Sequence, residues 1–223
     1  MQAPGEAEAE LAYLNRIGVI DGVLSDDVDN FLFGATTVIR NPSNSLSGNR
    51  GNPVMNAAGK DDKNHSWVYH IEDINKETKL TRGGLILIGL LSGGDYNTAG
   101  LEKCGIKTAV ALAQCGFGES LFLAAQNLDR EELEVFLNQW RAELRHELMT
   151  NSKGLIGRKS PALAKQVTSA FPDVDILLSY VNPITSESMG RPYTLEWKGE
   201  PDIGKIAGVC EFYFEWGYRE AII

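Results

Sequence analysis

The segment from Asp21 to Arg40, DGVLSDDVDNFLFGATTVIR, decides the predicted fold. Residues 21–25 form a short apolar run next to polar residues, which is typical of a buried strand. Residues 30–34 predict one short helical turn, and the β-branched residues within 36–40 predict a second strand. Strand, short helix and strand in this order are typical of an α/β protein. Ligands of open α/β sheets bind beyond the carboxyl ends of the strands, which is where the acids of this segment lie.

Outward from this segment, the sequence predicts further helices and one more strand. Residues 3–6 open a helix, because a proline near the first turn is preorganised for it and glutamates there complement the helix dipole. Residues 67–71 predict a strand, and residues 84–91 predict an apolar helix that ends at a glycine loop. Residues 100–112 predict a hairpin that leads into a helix. Residues 41–64 are polar and aperiodic, which indicates a flexible insertion.

The remainder of the chain is predicted to be mostly helical. Asp129 and Glu132 form a capping-box pattern before an apolar series at helical spacing. Residues 202–216 predict a last amphipathic helix. The tryptophans are expected in the core and not as stacking platforms for bases: Trp67, Trp140, Trp197 and Trp216.

The composition indicates a globular intracellular protein. The chain has 223 residues, 43% hydrophobic content and a net charge of −9, which suits one large domain or two small ones. Its longest apolar run, residues 85–91, is too short to cross a membrane, and the first residues show no secretory signal. Three cysteines without metal spacing indicate a reducing compartment and argue against a disulfide framework or a zinc knuckle.

The charge is concentrated at two places. Residues 1–30 contain seven acids and one arginine, whereas residues 151–170 contain four basic residues and no acid. A net charge of −9 alone argues against nucleic acid as a partner, but net charge does not show where the charges lie. Both an acidic centre and a separate basic surface are therefore compatible with the sequence.

Three groups of acids are candidates for chemistry: Glu6 with Glu8, Asp27 with Asp29, and Asp95 after a glycine pair. Carboxylates gathered together repel one another unless a cation neutralises them. Oxygen ligands without His or Cys favour magnesium or manganese over zinc or copper. Two such ions, roughly 4 Å apart, clamp the attacking and leaving oxygens when a phosphodiester is cleaved.

Structural roles for the same acids stay open at this point. Acids at a helix start are usually caps, and an acid after a strand usually satisfies a turn. The run from Asp27 to Asp29 lacks the third acid, the central glycine and the closing glutamate of a calcium loop. The three histidines are scattered, and no Ser/His/Asp or Cys/His set is visible. Spacing alone thus predicts only an acidic site for a hard metal.

Four motifs, taken together and in order, resemble the XPG/flap-endonuclease family of structure-specific DNA nucleases. They are residues 3–9 (APGEAEA), 25–29 (SDDVD), 91–96 (LSGGDY) and 100–109 (GLEKCGIKTA). The first three are similar to the family's acidic motifs, and the last is similar to its helix–two-turn–helix element. Residues 92–101 and 202–218 look most like the GEN/Yen branch of Holliday-junction resolvases, of the kind found in fungi.

The resemblance implies a fold, a site and an activity. The fold would be a PIN-like nuclease core, a central mostly parallel sheet flanked by helices, followed by the helix–two-turn–helix and a helical C-terminal region. Two magnesium ions, replaceable by manganese, would be held by the catalytic carboxylates of Glu6, Glu8, Asp27, Asp29 and Asp95. The activity would be hydrolysis of phosphodiester bonds in branched DNA, such as Holliday junctions and 5′ flaps.

The resemblance also implies how duplex DNA would be held. The hairpin and helix start would grip a phosphate backbone, and residues 153–165 would extend this surface. A monovalent cation at the carbonyl groups of residues 100–108 is a further implication. The DNA-binding residues would be Lys103, Gly105, Lys107, Thr108, Arg158 and Lys159.

The remaining expectations concern organisation and partners. Residues 1–98 would be the internal part of the nuclease core, and residues 99–223 the duplex-binding part. The family's core begins upstream of the first acidic motif, so we expect this chain to lack an N-terminal strand and two more metal-binding aspartates. Branched or duplex DNA, a homodimer on four-way junctions, a nuclear location and no membrane contact are also implied.

Three hypotheses follow from the sequence. The first is a magnesium-dependent structure-specific endonuclease. The second is a non-catalytic DNA-binding remnant of such a nuclease. The third is an acidic α/β domain for protein interaction, in which every acid is a cap or a turn residue.

Overall fold

The computed structural model describes residues 2–40, 57–60, 67–191 and 202–214. They belong to two compact units, Met1–Tyr193 and Thr194–Ile223. The described strands are β1 (Val23–Leu24), β2 (Thr37–Arg40) and β3 (Trp67–His70). The described helices of the first unit are α1 (Ala7–Arg16), α2 (Asp29–Leu32), α3 (Ile71–Thr78), α4 (Arg82–Ser92), α5 (Ile106–Gln114), α6 (Phe117–Asn127), α7 (Arg130–Thr150), α8 (Pro161–Ala164) and α9 (Val174–Val181). The second unit contains α10 (Ile203–Phe214).

The sheet has the order β1-β2-β3. β1 pairs in parallel with β2, with Val23 opposite Val38, and α2 lies in the crossover between them. β3 pairs antiparallel with β2, with Thr37 opposite His70. The predicted α/β class is confirmed, but the described sheet differs from a mostly parallel one because one of its two pairings is antiparallel. Strand direction depends on the connection between strands, and residues 67–71 alone carry no signal for it.

The first helix begins later than the sequence predicts. α1 starts at Ala7, and Glu6 precedes it with an extended backbone (φ −62°, ψ 136°). Just before this helix, Gly5 packs closely against Ile184. A Cβ atom on Gly5 would lie 2.6 Å from the carbonyl oxygen of Ile184. Residues 3–6 therefore form an extended entry to the helix and not its first turn.

The core is centred on α4, which packs against α5 and α6. Two glycines allow the α4–α6 contact, because a Cβ on Gly83 would lie 2.5 Å from the carbonyl oxygen of Gly118. One buried hydrophobic cluster includes residues from α1, such as Ala9, and from α9, such as Val181. The predicted division between residues 98 and 99 falls inside this core, because α4 before it packs on α5 after it. That division stays a proposal about roles and does not separate two compact units.

α7 forms as its capping box predicts. The Asp129 side chain accepts from the Glu132 amide, and the Glu132 side chain accepts from the Asp129 amide. Trp140 is buried in the core, and its Nε1 donates to the carbonyl oxygen of Phe117 over 3.0 Å. Trp67 does not lie in the core as expected. It is 40% exposed, and every residue of β3 is exposed.

Several predicted features lie wholly or partly outside the described residues. Of the predicted insertion at residues 41–64, only 57–60 are described, and Trp197 and Trp216 are not. The last helix, predicted over residues 202–216, is described as Ile203–Phe214. Across the described part of the chain, no single helix is long and apolar enough to span a membrane, although α5 and α6, bent by 68°, would together meet that test.

Candidate metal and nucleic-acid site

Glu6 and Glu8 approach one volume because only one of them is helical. Residues two apart on a regular helix do not share a face. Glu6, however, stands before α1 with an extended backbone, while Glu8 lies in the first turn. This change of backbone conformation places both carboxylates in the lining of one cavity.

Asp27 and Asp29 lie where β1 ends and α2 begins. The Asp29 amide donates to Oδ1 of Asp27 over 2.8 Å, and the side chain of Asn30 donates to the Asp27 carbonyl over 3.0 Å. Asp27 thus has the turn-stabilising role expected of an acid after a strand. Its carboxylate and that of Asp29 nevertheless line the same cavity as the glutamates.

Asp95 reaches the cavity from a tight turn after α4. The amide of Gly94 donates to the carbonyl of Asn97 over 2.9 Å, and the amide of Asn97 donates back over 3.1 Å. The turn begins at Gly93, whose φ of 95° and close approach to the carbonyl oxygen of Thr98 exclude a side chain. Asp95 and the next residue, Tyr96, are therefore presented together.

The five predicted carboxylates share one small cavity. It has a volume of about 20 Å³, close to the space of a single water or ion. Aromatic rings complete its wall, and no His or Cys lies in it. The lining residues are Glu6, Glu8, Asp27, Asp29, Phe33, Asp95 and Tyr96.

Gathering these acids changes the protonation of Asp29. Burial raises the pKa of Asp29 to about 6, and the charges of Asp27, Asp95, Glu8 and Glu6 add to this effect in that order. A carboxyl group with such a pKa is poised to lose its proton near neutral pH when a cation approaches. The electrostatics of the cavity thus favour binding of a positive ion.

Tyr96 and Tyr180 form an aromatic wall beside the acids. Burial raises the pKa of Tyr96 to about 12, helped by the charge of Glu6 and by a hydrogen bond with its carboxylate. The rings of Tyr96 and Tyr180 meet edge to face with centroids 4.9 Å apart. Burial and the charge of Asp29 also raise the pKa of Tyr180. Both hydroxyls therefore stay protonated and available as donors near neutral pH.

The donor set fits a hard divalent cation. All the candidate ligands are carboxylates, which suit Mg²⁺ or Mn²⁺. Among the described residues, no three His, Cys, Asp or Glu side chains already stand in metal-ligand geometry. The residues thus offer the chemistry of a magnesium site, with room for one ion between them.

The predicted duplex-binding residues fall into two places. Lys103 and Lys107 are exposed around the start of α5, where Gly105 is the N-cap and its carbonyl accepts from the Thr108 amide over 2.9 Å. Lys103 has a left-handed backbone (φ 67°). Its side chain lies 3.8 Å from Glu102.

Arg158 and Lys159 lie in the second place, the exposed loop between α7 and α8. Lys153, at the start of the predicted basic stretch 153–165, does not join them. Its Nζ donates to the carbonyl of Cys115 and lies 5.1 Å from the centre of the Phe117 ring. It anchors the loop to the α5–α6 junction, although the residue as a whole is exposed.

Comparison with known proteins shows which family the chain resembles. Residues 1–95 match the XPG I-region, which contains all five acids. The chain is 29% identical over 221 residues to the mouse (Mus musculus) DNA excision repair protein ERCC-5, covering 97% of this chain and 16% of that protein. A solved structure of the junction-resolving enzyme GEN-1 with cesium superposes with a TM-score of 0.72 and 32% identity, covering 98% of this chain and 50% of the other. The chain is similar to members of the XPG/flap-endonuclease family.

Similarity to the GEN branch of this family supports the predicted branch. A second solved structure, Holliday junction-resolving enzyme GEN1 with product DNA and Mg²⁺, has a TM-score of 0.67 and 32% identity, covering 99% of this chain and 49% of that one. The chain spans less than a third of the length of the curated relatives that it matches. It therefore represents a part of what those relatives contain.

Sequence reasoning missed two features of this site. Tyr96 lines the acidic cavity, and its place directly after Asp95 in the third motif was the signal that could have indicated it. Arg82 donates from Nε to the carbonyl of Leu32 and from its terminal nitrogen to that of Tyr180. It holds the end of α2 against α9, and no local pattern predicts such a contact.

Proposed function

We propose that this chain carries the catalytic carboxylates and the duplex-binding element of a magnesium-dependent, structure-specific DNA endonuclease. The observation that carries the proposal is the shared cavity of Glu6, Glu8, Asp27, Asp29 and Asp95. The XPG I-region match and the GEN1 relative with product DNA and Mg²⁺ support it. Branched DNA, such as a Holliday junction or a 5′ flap, is the proposed substrate.

In this proposal the five carboxylates hold magnesium, and the turns next to them hold the carboxylates in place. A bound divalent ion supplies charge neutralisation at the scissile phosphate and lowers the pKa of a water that attacks phosphorus. Asp27 and Asp29 are fixed by the turn after β1, and Asp95 by the turn after α4. The cavity of about 20 Å³ suits one ion.

Residues 99–223 are proposed to hold the duplex. Lys103, Gly105, Lys107 and Thr108 would contact one phosphate backbone at the start of α5, where first-turn amides point outward. Arg158 and Lys159 would contact phosphate from the α7–α8 loop. The carbonyl groups of residues 100–108 are the proposed site for a monovalent cation, which the cesium-bound relative supports.

Cleavage of labelled DNA tests the nuclease proposal. The chain is incubated with a 5′ flap, a four-way junction and linear duplex, with Mg²⁺ or with EDTA. We expect Mg²⁺-dependent cutting of the branched DNA that is lost in Asp27→Asn and Asp95→Asn. Asp21→Asn is the matched control, since Asp21 is exposed and does not line the cavity. Cutting that persists in both cavity variants would reject this site.

A second candidate function is DNA binding without cleavage. The carboxylates favour it as they stand, because no three candidate ligands among the described residues are already in metal-ligand geometry. It predicts salt-dependent binding of branched DNA with no Mg²⁺-dependent product. The same gel assay separates the two functions, because bound but uncut DNA supports this one alone.

Assembly and location complete the proposal. We infer that two copies act on one four-way junction, in the nucleus. Sedimentation of the chain with and without junction DNA tests the first point: a complex with the mass of two chains is expected. One chain per junction at saturating protein would contradict it.

A further inference from the structure

A second cavity opens directly beside the carboxylates. It has a volume of about 640 Å³, within the range of roughly 300–1,000 Å³ that holds small molecules. Glu6 and Tyr96 line both this cavity and the acidic one. Its other side is formed by α9 and the residues that follow it, which include Leu178, Ser179 and Asn182. We call this second cavity the α9 groove.

The elements that line the α9 groove are held in place by buried contacts. Leu177 and Tyr180 are almost fully buried, so α9 is anchored from behind while Leu178 and Ser179 are only partly buried. Beyond α9, Ser186 is tied to α1, since its amide and hydroxyl both donate to the buried carboxylate of Glu10. The groove is therefore a built feature of the first unit.

The chemistry of the groove suits the neutral part of a nucleotide. Its lining contains no Lys or Arg, so phosphate is a poor occupant. Its single further acid, Asp175, is paired with Arg130 over 2.7 Å. The Ser179 hydroxyl donates to the Asp175 carbonyl, and the Asn182 side-chain nitrogen donates to the Ala125 carbonyl. Their side-chain oxygens remain as acceptors for a sugar or base, and Leu178 offers an apolar surface.

Tyr96 adds an aromatic surface at the boundary of the two cavities. Its ring is 36% exposed, and its position is fixed by the edge-to-face contact with Tyr180. Aromatic side chains of this kind bind unpaired bases by stacking, without sequence preference. A phosphate at the carboxylates would thus have an adjoining nucleoside within reach of Tyr96 and α9.

We propose that the α9 groove binds the sugar and base of the nucleotide next to the scissile phosphate. The inference rests on the proposed function, because it takes the carboxylate cavity as the place of cleavage. It adds a substrate subsite formed by Tyr96, Leu178, Ser179 and Asn182. Tyr96 lies in the turn after α4, and the other three residues lie on α9 or directly after it.

Filling the groove tests the proposal. Ser179→Trp places a large side chain in it, and Ser120→Trp is the matched control. Both serines lie on helix surfaces with their hydroxyls donating to a backbone carbonyl, and Ser120 lines neither cavity. We expect Ser179→Trp to raise the KM for branched DNA roughly tenfold or more, the range of one lost stacking contact. Mn²⁺ affinity should be unchanged in both variants.

Asn182→Trp and photo-cross-linking test the α9 groove independently of Ser179→Trp. Asn182→Trp fills the groove from an exposed position and covers the case in which Ser179→Trp fails to fold. Flap DNA carrying 4-thiothymidine is irradiated on the protein in Ca²⁺, and the linked peptides are identified by mass spectrometry. Cross-links to Tyr96 or to residues 178–184, lost when the groove is filled, are expected.

The outcomes separate the groove from the nuclease proposal. Cross-links in the groove without Mg²⁺-dependent cutting would leave the subsite standing and overturn the proposed cleavage. Cutting with an unchanged KM in both groove variants, and cross-links only elsewhere, would overturn the subsite.

Discussion

The Nε atom of Arg82 donates to the carbonyl oxygen of Leu32 over 2.8 Å, across fifty residues of sequence. The same guanidinium donates to the carbonyl of Tyr180 over 2.9 Å and lies over the ring of Phe122. It therefore ties α4 to the end of α2, the helix that begins with Asp29. Burial and the nearby charge of Arg16 lower the pKa of Arg82 to about 10, so it is still charged at neutral pH.

Removing this guanidinium should destabilise the first unit. Arg82→Met keeps the apolar stem but leaves two buried carbonyls without a donor, which should lower the free energy of unfolding by about 2–4 kcal/mol. Urea unfolding followed by tryptophan fluorescence measures this loss. Arg130→Met, which removes an exposed ion pair, should have little effect. Equal stability of the two variants would show that the contact with Leu32 is not important for the fold.

Asp29 should make stability depend on pH. Its pKa is about 6 in the folded chain, above the ordinary value of 3.8, so the folded state binds more protons than the unfolded state between these values. Stability without metal should therefore fall as pH rises from about 4 to 6 and stay lower above that range.

The Asp29→Asn variant tests this origin. It should be more stable than the native chain at pH 7.5 by about 1 kcal/mol, a figure discounted because Asp29 is half-buried. The difference should vanish near pH 4, and saturating Mg²⁺ should remove it at pH 7.5. Thermal unfolding at these pH values checks the effect, and an advantage of Asn at every pH would point to another cause.

Tyr96 should orient Glu6 for metal binding. Tyr96→Phe removes the hydroxyl that bonds to the Glu6 carboxylate while keeping the ring. Mn²⁺ affinity, measured by electron paramagnetic resonance, should fall roughly tenfold, as for other groups that hold a ligand in place. Tyr13→Phe, a buried tyrosine outside the cavity lining, is the control and should bind Mn²⁺ normally. Equal affinities would show that the Tyr96 hydroxyl does not orient Glu6.

Lys107 should contribute one phosphate contact. Lys107→Ala should weaken binding of branched and linear DNA alike and reduce the slope of log affinity against log salt by about 1. Lys76→Ala on α3 removes an equally exposed charge away from the start of α5 and should leave the slope unchanged. Fluorescence anisotropy at several salt concentrations provides both slopes. A normal slope for Lys107→Ala would remove α5 from the proposed interface.

Local sequence patterns predicted the elements of the fold well. The capping box at Asp129 marked the start of α7, and strand, short helix and strand appear as β1, α2 and β2. These features depend on backbone hydrogen bonds and on neighbours three or four residues away, so a short stretch contains their cause. The start of α1 was wrong by a few residues, because the close approach of Gly5 to Ile184 decides it.

The tertiary structure shows where each acid of the N-terminal cluster lies. Glu6 and Glu8 line the cavity, whereas Glu10, two residues further on, is buried and bonded to Ser186 at the other end of the unit. The sequence by itself determined the order of the acidic motifs and the family that this order indicates. It could not determine the contacts of Arg82, Tyr96 or Glu10, because each depends on groups that only the packing of distant helices brings within hydrogen-bonding distance.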